Sequence, residues 1–345
     1  FLVRHQREDG KYCYQYDPFR GCRGGSYNLL RHAGTTYSLY QAYALTGDVR
    51  HLEGAERAMA WLIGHRVVDS EDFSYVVSGT LVKLGGAALA LLALTERERL
   101  LEDGRHDGVM ARFGRFIEHQ MAADGELKSY YQWSDAHPAP QRTSIYYPGE
   151  ATFALARLHQ VTGDDRWLDS AARAAQYMIR RGTWLGVDFV VFPDAWLLCA
   201  LSLLYEQTGE DKYLTYARTI ADDLIVHQYG DENEPEFSGA VIDPVLPTST
   251  PAATRAEGLG ALCHAMRVTG LDDESGAYRA ALLATTRFQL SQQAGATNSY
   301  FYRQPDLARG GFFCSMLDQS MRIDYTQHNI SSLIWALEWL PEREP

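Results

Sequence analysis

Leu197–Gln228 reads LLCALSLLYEQTGEDKYLTYARTIADDLIVHQ, and this stretch decides the fold. Its first part, to Thr208, is apolar on nearly every side, as a helix is when neighbours surround it. Gly209 follows, a residue that enters the left-handed conformation cheaply and so ends helices, and Glu210 suits the start of the next one. From Tyr213 apolar and charged residues alternate at helical spacing, which predicts a helix buried on one face only. An inner helix, a tight turn and an outer helix therefore follow one another.

The same unit recurs. Thr46-Gly47-Asp48, Thr162-Gly163-Asp164 and Thr269-Gly270 each close an apolar helix, and Thr95-Glu96 takes the equivalent place without the glycine. Between units lie helix ends followed by a turn and an aromatic-rich extended segment, beginning at Phe1, Trp61, Phe116, Tyr177, Leu224 and Phe288. These starts are 47 to 64 residues apart, room for two helices and a connection. Such a period signals a repeat architecture. Six units predict an all-α fold, an (α/α)6 toroid of helical hairpins with short strands in the funnel loops. An open solenoid would need polar end faces, whereas SSLIWALEWL near the C-terminus and FLV at the N-terminus are apolar and would cover one another in a ring. The sixth inner helix is expected over residues 326–340, and Phe1–Gln6 as the last turn of an outer helix. No linker rich in Gly, Pro or Ser interrupts the chain, so residues 1–345 are expected to form a single toroid domain. The chain opens on Phe1 rather than Met and shows no signal-peptide pattern, so an upstream segment is expected.

The formal net charge of −12 argues against nucleic acid or an anionic membrane surface as the main partner. No apolar run reaches the roughly eighteen residues of a membrane span. Of five cysteines, Cys199 and Cys263 sit in apolar helical runs and read as small core residues, while Cys13 and Cys22 could pair outside the cytosol, though an odd total makes no disulfide framework and leaves the redox compartment open. There is no P-loop, dinucleotide fingerprint or HExxH, and Cys263-His264 lacks further ligands at useful spacing, so no cofactor or metal is expected.

The long loops lead into the N-terminal ends of the inner helices, which a ring points to one face. Twelve residues before the threonine of each turn stand Gly34, Lys83, Glu150, Trp196 and Glu257; fourteen before stand His32, Leu81, Pro148, Asp194 and Arg255. Polar residues at the starts of apolar helices thus recur, and ring closure gathers them at one mouth. Glu150, Asp194, Glu257 and Asp324 are the candidate acids, with Tyr147, Tyr325 and His328 as further proton-transfer groups. Arg31, His32, Lys83, Tyr146, Trp196, Arg255 and Asn329 are the candidate substrate-binding residues. Tyr75, Tyr130, Tyr131, Trp133, Trp184 and Tyr302, in the extended segments, are expected to add aromatic faces. Carboxylates, cations and aromatic faces together suit an oligo- or polysaccharide, uronates included. Plainer roles compete: Glu150 and Asp194 as acids stabilising helix N-termini, Arg255 and Glu257 as each other's partners, His32 as a core histidine. His5, His119 and His227 recur at helix ends and read as structural.

The repeat resembles the six-hairpin (α/α)6 superfamily of glycoside hydrolases, N-acylglucosamine epimerases and polysaccharide lyases. Asp324-Tyr325-Thr326-Gln327-His328-Asn329 also resembles a DY…H segment of the C-terminal domain of D-glucuronyl C5-epimerases, and Tyr146-Tyr147-Pro148-Gly149-Glu150 resembles, in another order, a grouping of Glu, Tyr and Pro there. The resemblance implies a carbohydrate-active enzyme. Glycoside hydrolysis by paired carboxylates is the leading expectation. Uronate C5 epimerisation or polysaccharide elimination through Tyr or His is the alternative, and a non-catalytic glycan- or protein-binding scaffold the third.

Overall fold

Apolar runs become inner helices and amphipathic runs outer ones. The computed structural model describes residues 1–181, 194–230, 235–242 and 246–340. Its helices are α1 (Leu29–Thr46), α2 (Val49–Arg66), α3 (Leu84–Leu101), α4 (Asp107–His119), α5 (Tyr147–Thr162), α6 (Asp165–Arg181), α7 (Ala195–Thr208), α8 (Asp211–Val226), α9 (Ser249–Val268), α10 (Gly276–Ser291), the short α11 (Ala296–Ser299) and α12 (Pro305–Ala308), and α13 (Ile323–Leu337). Helices α1, α3, α5, α7, α9 and α13 pack each on the next, and α13 packs on α1. The ring is closed: the fold is an (α/α)6 toroid. Helices α2, α4, α6, α8 and α10 flank it, and a 3₁₀ turn at Val3–His5, where a last helical turn was expected, lies against α2. The sixth inner helix starts at Ile323, a turn earlier than its polar lead-in suggested.

Every residue of α3 from Leu84 to Arg97 is buried, as a helix enclosed by neighbours must be. The buried Arg97 is matched by Glu56 and Asp103, each at 2.7 Å. In α6 the buried Trp167, Ser170, Ala171, Ala174, Ala175 and Met178 form a single inward stripe. Gly47, Gly163 and Gly209 cap their helices in the left-handed conformation. The second unit departs from expectation. Without a glycine at position 96, α3 runs past Thr95-Glu96 to Leu101, and Glu102 takes the left-handed cap.

The loops after the outer helices share a device that centres on glutamine. Gln6 donates to the carbonyls of Gly10 and Gly54, Gln120 to those of Lys128 and Tyr130, and Gln228 to those of Gly239 and Ala281. Each loop then turns on a glycine of positive φ, at Gly10, Gly125 and Gly239. A Cβ there would lie 2.3, 2.4 and 2.1 Å from the carbonyl oxygens of Arg57, Arg173 and Ala284.

The strands are β1 (Gln15–Asp17), β2 (Gly21–Arg23), β3 (Val67–Asp69), β4 (Ser74–Ser78), β5 (Leu81–Lys83), β6 (Tyr130–Tyr131) and β7 (Met321–Arg322). They form two antiparallel sheets, ordered β2-β1-β7 and β3-β4-β5-β6. Strand β5 delivers Lys83 to the start of α3, and β7 delivers Arg322 to the start of α13. Cys13 and Cys22 are disulfide-bonded across the β1–β2 hairpin, while Cys199 and Cys263 are free and buried. No helix among the described residues is long and apolar enough to cross a membrane.

Candidate active site

The N-terminal ends of the inner helices open on one cavity of about 380 Å³. Arg31 comes from α1, Tyr147 and Glu150 from α5, Trp196 from α7, Arg255 from α9, and Asp324, Gln327 and His328 from α13; Tyr146 joins them at the rim. A second cavity of about 470 Å³ opens at the other mouth of the ring. Its buried acid Glu96 is held by Arg99 at 2.6 Å, and its Glu338 by Arg267 at 2.6 Å, so their charges are already matched. The first cavity is different.

Glu150 sits in the first turn of α5, 5% exposed, and its Oε2 has no hydrogen-bond partner among the described residues. Room for that oxygen comes from Gly85, where a Cβ would lie 2.2 Å away. Burial, reinforced by the Asp194 charge and only partly offset by Lys83, pushes the Glu150 pKa up to about 8. Asp194 caps α7, its Oδ1 accepting from the backbone N–H groups of Trp196 and Leu197 at 3.0 and 3.2 Å. Its Oδ2 is buried and unpartnered among the described residues, 2.4 Å from where a Cβ on Gly149 would lie. Burial raises the Asp194 pKa to about 7 despite those two bonds. Two carboxyls this deep cannot both ionise cheaply, so protons stay on the pair near neutrality.

Glu257 and His328, from neighbouring inner helices, meet at 2.8 Å between Oε2 and Nδ1. Burial opposes the imidazolium, but the Glu257 carboxylate outweighs it and the His328 pKa is raised. His328 lines the cavity beside the Trp196 ring, 5.9 Å between centroids, while Glu257 stands behind it. Asp324 has no oxygen to spare. Arg322 binds both, at 2.5 and 2.9 Å, and the Nε of Arg31 lies 3.0 Å from Oδ2. Arg31 also donates to the Tyr14 hydroxyl.

Two further cations have little compensation, Arg255 on the cavity wall and Lys83 at the start of α3, outside the lining. Lys83 has no carboxylate within ion-pair distance among the described residues; burial, with Arg142 and Arg31 nearby, lowers its pKa. Among the described residues Arg255 makes one long bond, 3.4 Å, to the His227 carbonyl, and burial lowers its pKa.

Three expected site residues point elsewhere. His32 is fully buried in the wall: its Nε2 donates to the Ala58 carbonyl and its Nδ1 accepts from the Tyr27 hydroxyl, so neither nitrogen is left for a ligand. Tyr325 is buried under the Arg322 guanidinium, 4.4 Å from its ring centroid. Asn329 donates to the Tyr325 carbonyl of its own helix and does not line the cavity, its Oδ1 being buried without a partner among the described residues. The extended-segment aromatics mostly pack together instead of lining the cavity. Tyr75 and Tyr131 contact each other at 5.3 Å, Tyr302 is buried against Phe313, and Tyr130 meets Tyr147 edge-on at 6.0 Å. Trp133 stacks on His137, and Trp184 lies outside the described residues. The sequence reading did not single out Gln327, Arg322, or the glycines at 85 and 149. The last two were visible as small residues in otherwise apolar helix starts. Among the described residues, one group of three metal-ligating side chains is close-set, His5 with Cys13 and Cys22, and its two sulfurs are bonded to each other.

Residues 88–270, more than half the chain, match the model of the beta-L-arabinofuranosidase, GH127 catalytic domain. The chain belongs to this family. It is a carbohydrate-active enzyme of the glycoside hydrolase class, and the matched span holds Glu150, Asp194 and Glu257. Solved structures share the fold at low identity. A D-mannose isomerase matches with TM-score 0.71 and 14% identity, over 97% of this chain and 94% of that one. A cellobiose 2-epimerase from Bacillus thermoamylovorans matches with TM-score 0.72 and 13% identity, over 98% and 95%. A GH76A alpha-1,6-mannanase of Salegentibacter, an inactive variant in complex with alpha-1,6-mannotriose, matches with TM-score 0.70 and 12% identity, over 97% and 95%. No curated protein matches the chain by sequence. The likeness to D-glucuronyl C5-epimerases gains little support, since the matched family is a hydrolase family and the epimerase above acts on cellobiose by its name.

Proposed function

We propose that this glycoside hydrolase protonates the leaving oxygen of its substrate with Glu150 and activates water with His328, oriented by Glu257. One observation carries the reading: Glu150 is a buried, unpaired carboxyl on the cavity wall whose pKa of about 8 keeps its proton at neutrality. A general acid needs that proton in place and near ready for transfer. In the His328–Glu257 pair, Nδ1–H donates to the carboxylate and leaves Nε2 to accept a proton from water. Asp194 acts on Glu150 through its charge, and Asp324 holds Arg31 and Arg322 in place. Trp196 offers a ring face to the sugar.

Lys83, Arg31 and Arg255 add a finer expectation, a substrate carrying a carboxylate such as a uronate, whose charge would find partners there. The family description makes aryl β-L-arabinofuranosides the first neutral substrates to try, beside aryl glucuronides. Glu150→Gln should lose activity on glycosides with poor leaving groups and keep most of it on dinitrophenyl glycosides, which leave without a proton. Equal loss on both removes the assignment.

A second reading draws on the same His328–Glu257 pair. His328 would take a proton beside a carboxylate held by Lys83 or Arg255, as in uronate epimerisation or elimination. Burial pushes the Tyr147 and Tyr325 phenols well up, which leaves His328 as the base. Solvent deuterium at C5, or a new unsaturated uronate absorbance, without new reducing ends would favour it.

A further inference from the structure

Outside the funnel the structure exposes aromatic rings that the reaction does not use. Phe19 is 57% exposed, Tyr300 74% and Phe301 50%. The Phe19 and Phe301 rings lie 6.5 Å apart with planes inclined by 28°, and Tyr300 meets Phe301 edge-on at 5.4 Å. Beneath them Tyr302 is buried, 5.4 Å from Phe19 and 4.7 Å from Phe301, and joins a small core with Cys13, Tyr16, Phe313 and Met321.

The rings are held, not trailing. Phe19 crowns the β1–β2 hairpin, where the Asp17 carboxylate accepts from the backbone N–H groups of Phe19 and Arg20 and pairs with Arg23. The Cys13–Cys22 disulfide closes the same hairpin. On the other side, Gly295 N–H donates to Asn298, whose amide donates to the Gln293 carbonyl, fixing the turn before Tyr300. Strand β1 also pairs with β7, which runs straight into Asp324 on the cavity wall. The aromatic cluster is therefore continuous with the funnel end of the toroid.

We propose that Phe19, Tyr300 and Phe301 form a second carbohydrate-binding surface, an aromatic platform that holds a further stretch of a polysaccharide whose end enters the funnel. Rigid aromatic faces bind with little ordering cost, and sugar rings present C–H faces that suit them. The occupant follows from the carbohydrate reading of the funnel and is independent of which residue is the acid.

Native electrophoresis in gels cast with arabinan, α-1,6-mannan or polygalacturonate tests it without reading turnover. The parent protein should be retarded in at least one gel, and so should Glu150→Gln. Phe19→Ala combined with Phe301→Ala should weaken that binding at least about tenfold, the scale of losing an aromatic anchor. Phe19→Trp with Phe301→Trp should retain it, which separates stacking from a folding defect. Retention of parental binding by the double alanine variant, or no retardation of the parent in any gel, overturns the proposal. So does sedimentation velocity showing a parental dimer that the double alanine variant dissociates, since the rings would then be a contact between copies.

Discussion

Replacing Glu150 by glutamine should slow the enzyme and stabilise it at once. In the folded chain the Glu150 pKa stands near 8 against an ordinary value of 4.5, mainly because burial penalises the charge. A carboxyl with a raised folded-state pKa favours folding most at low pH. That contribution is complete below about pH 4.5 and is lost progressively as pH rises through about 8. At pH 7 the parent has forgone roughly 3 kcal/mol, about 1.4 kcal/mol for each pH unit above the unfolded value. Glutamine carries no such titration and is close to the neutral acid in shape. The gap in melting temperature between Glu150→Gln and parent should therefore be small at pH 4.5 and widen in favour of the variant up to about pH 8. Turnover on poor leaving groups should fall by about a hundred- to ten-thousandfold, the range for losing general acid help. The basic limb of the pH–rate profile near pH 8 should vanish with it. Thermal melts across pH beside steady-state rates measure both arms. A variant that loses stability as pH rises, or keeps turnover within about tenfold, refutes the reasoning from burial to acidity.

Glu257→Gln removes the carboxylate that raises the His328 pKa, so the imidazole should titrate at lower pH by NMR and the acidic limb of the profile should move down. Gly125→Ala combines a φ of +98° with a Cβ 2.4 Å from the Arg173 carbonyl oxygen; it should cost at least about 2 kcal/mol in denaturant unfolding. Cys13→Ser with Cys22→Ser opens a short loop and should cost about 2–3 kcal/mol by the same measurement. The parent's rate should peak on the alkaline side of neutrality, between the raised His328 pKa and the Glu150 value of about 8. A broad optimum below pH 6 would contradict it.

What the sequence made legible was axial position. Because Gly47, Gly163 and Gly209 fix where inner helices end, counting back from them locates where those helices begin. Glu150 and Trp196 were found that way and do stand on the cavity wall, with Glu257 one residue behind it. The count even survives in the second unit, where α3 overruns its expected turn, because Lys83 is fixed by strand β5 at the other end.

Rotation about the helix axis was not legible, and it explains the residues that turned away. Adjacent helical residues point about 100° apart. Arg31 thus reaches the funnel while His32, one position on, is driven into the wall between α1 and α2. In α13, Asp324, Gln327 and His328 are spaced three and four apart and share the funnel face, whereas Tyr325 and Asn329, also four apart, share another. An apolar helix buried on all sides gives no amphipathic stripe from which to read that rotation. Where the helix is amphipathic, as α6 is, the inward face is plain; where function sits, on the enclosed inner ring, the pattern is silent. The Glu257–His328 pair needs one step more, since it joins α9 and α13, the fifth and sixth inner helices, which meet only when successive hairpins stack side by side. Its two members are 71 residues apart, and their meeting is a consequence of hairpin stacking, not of any local motif.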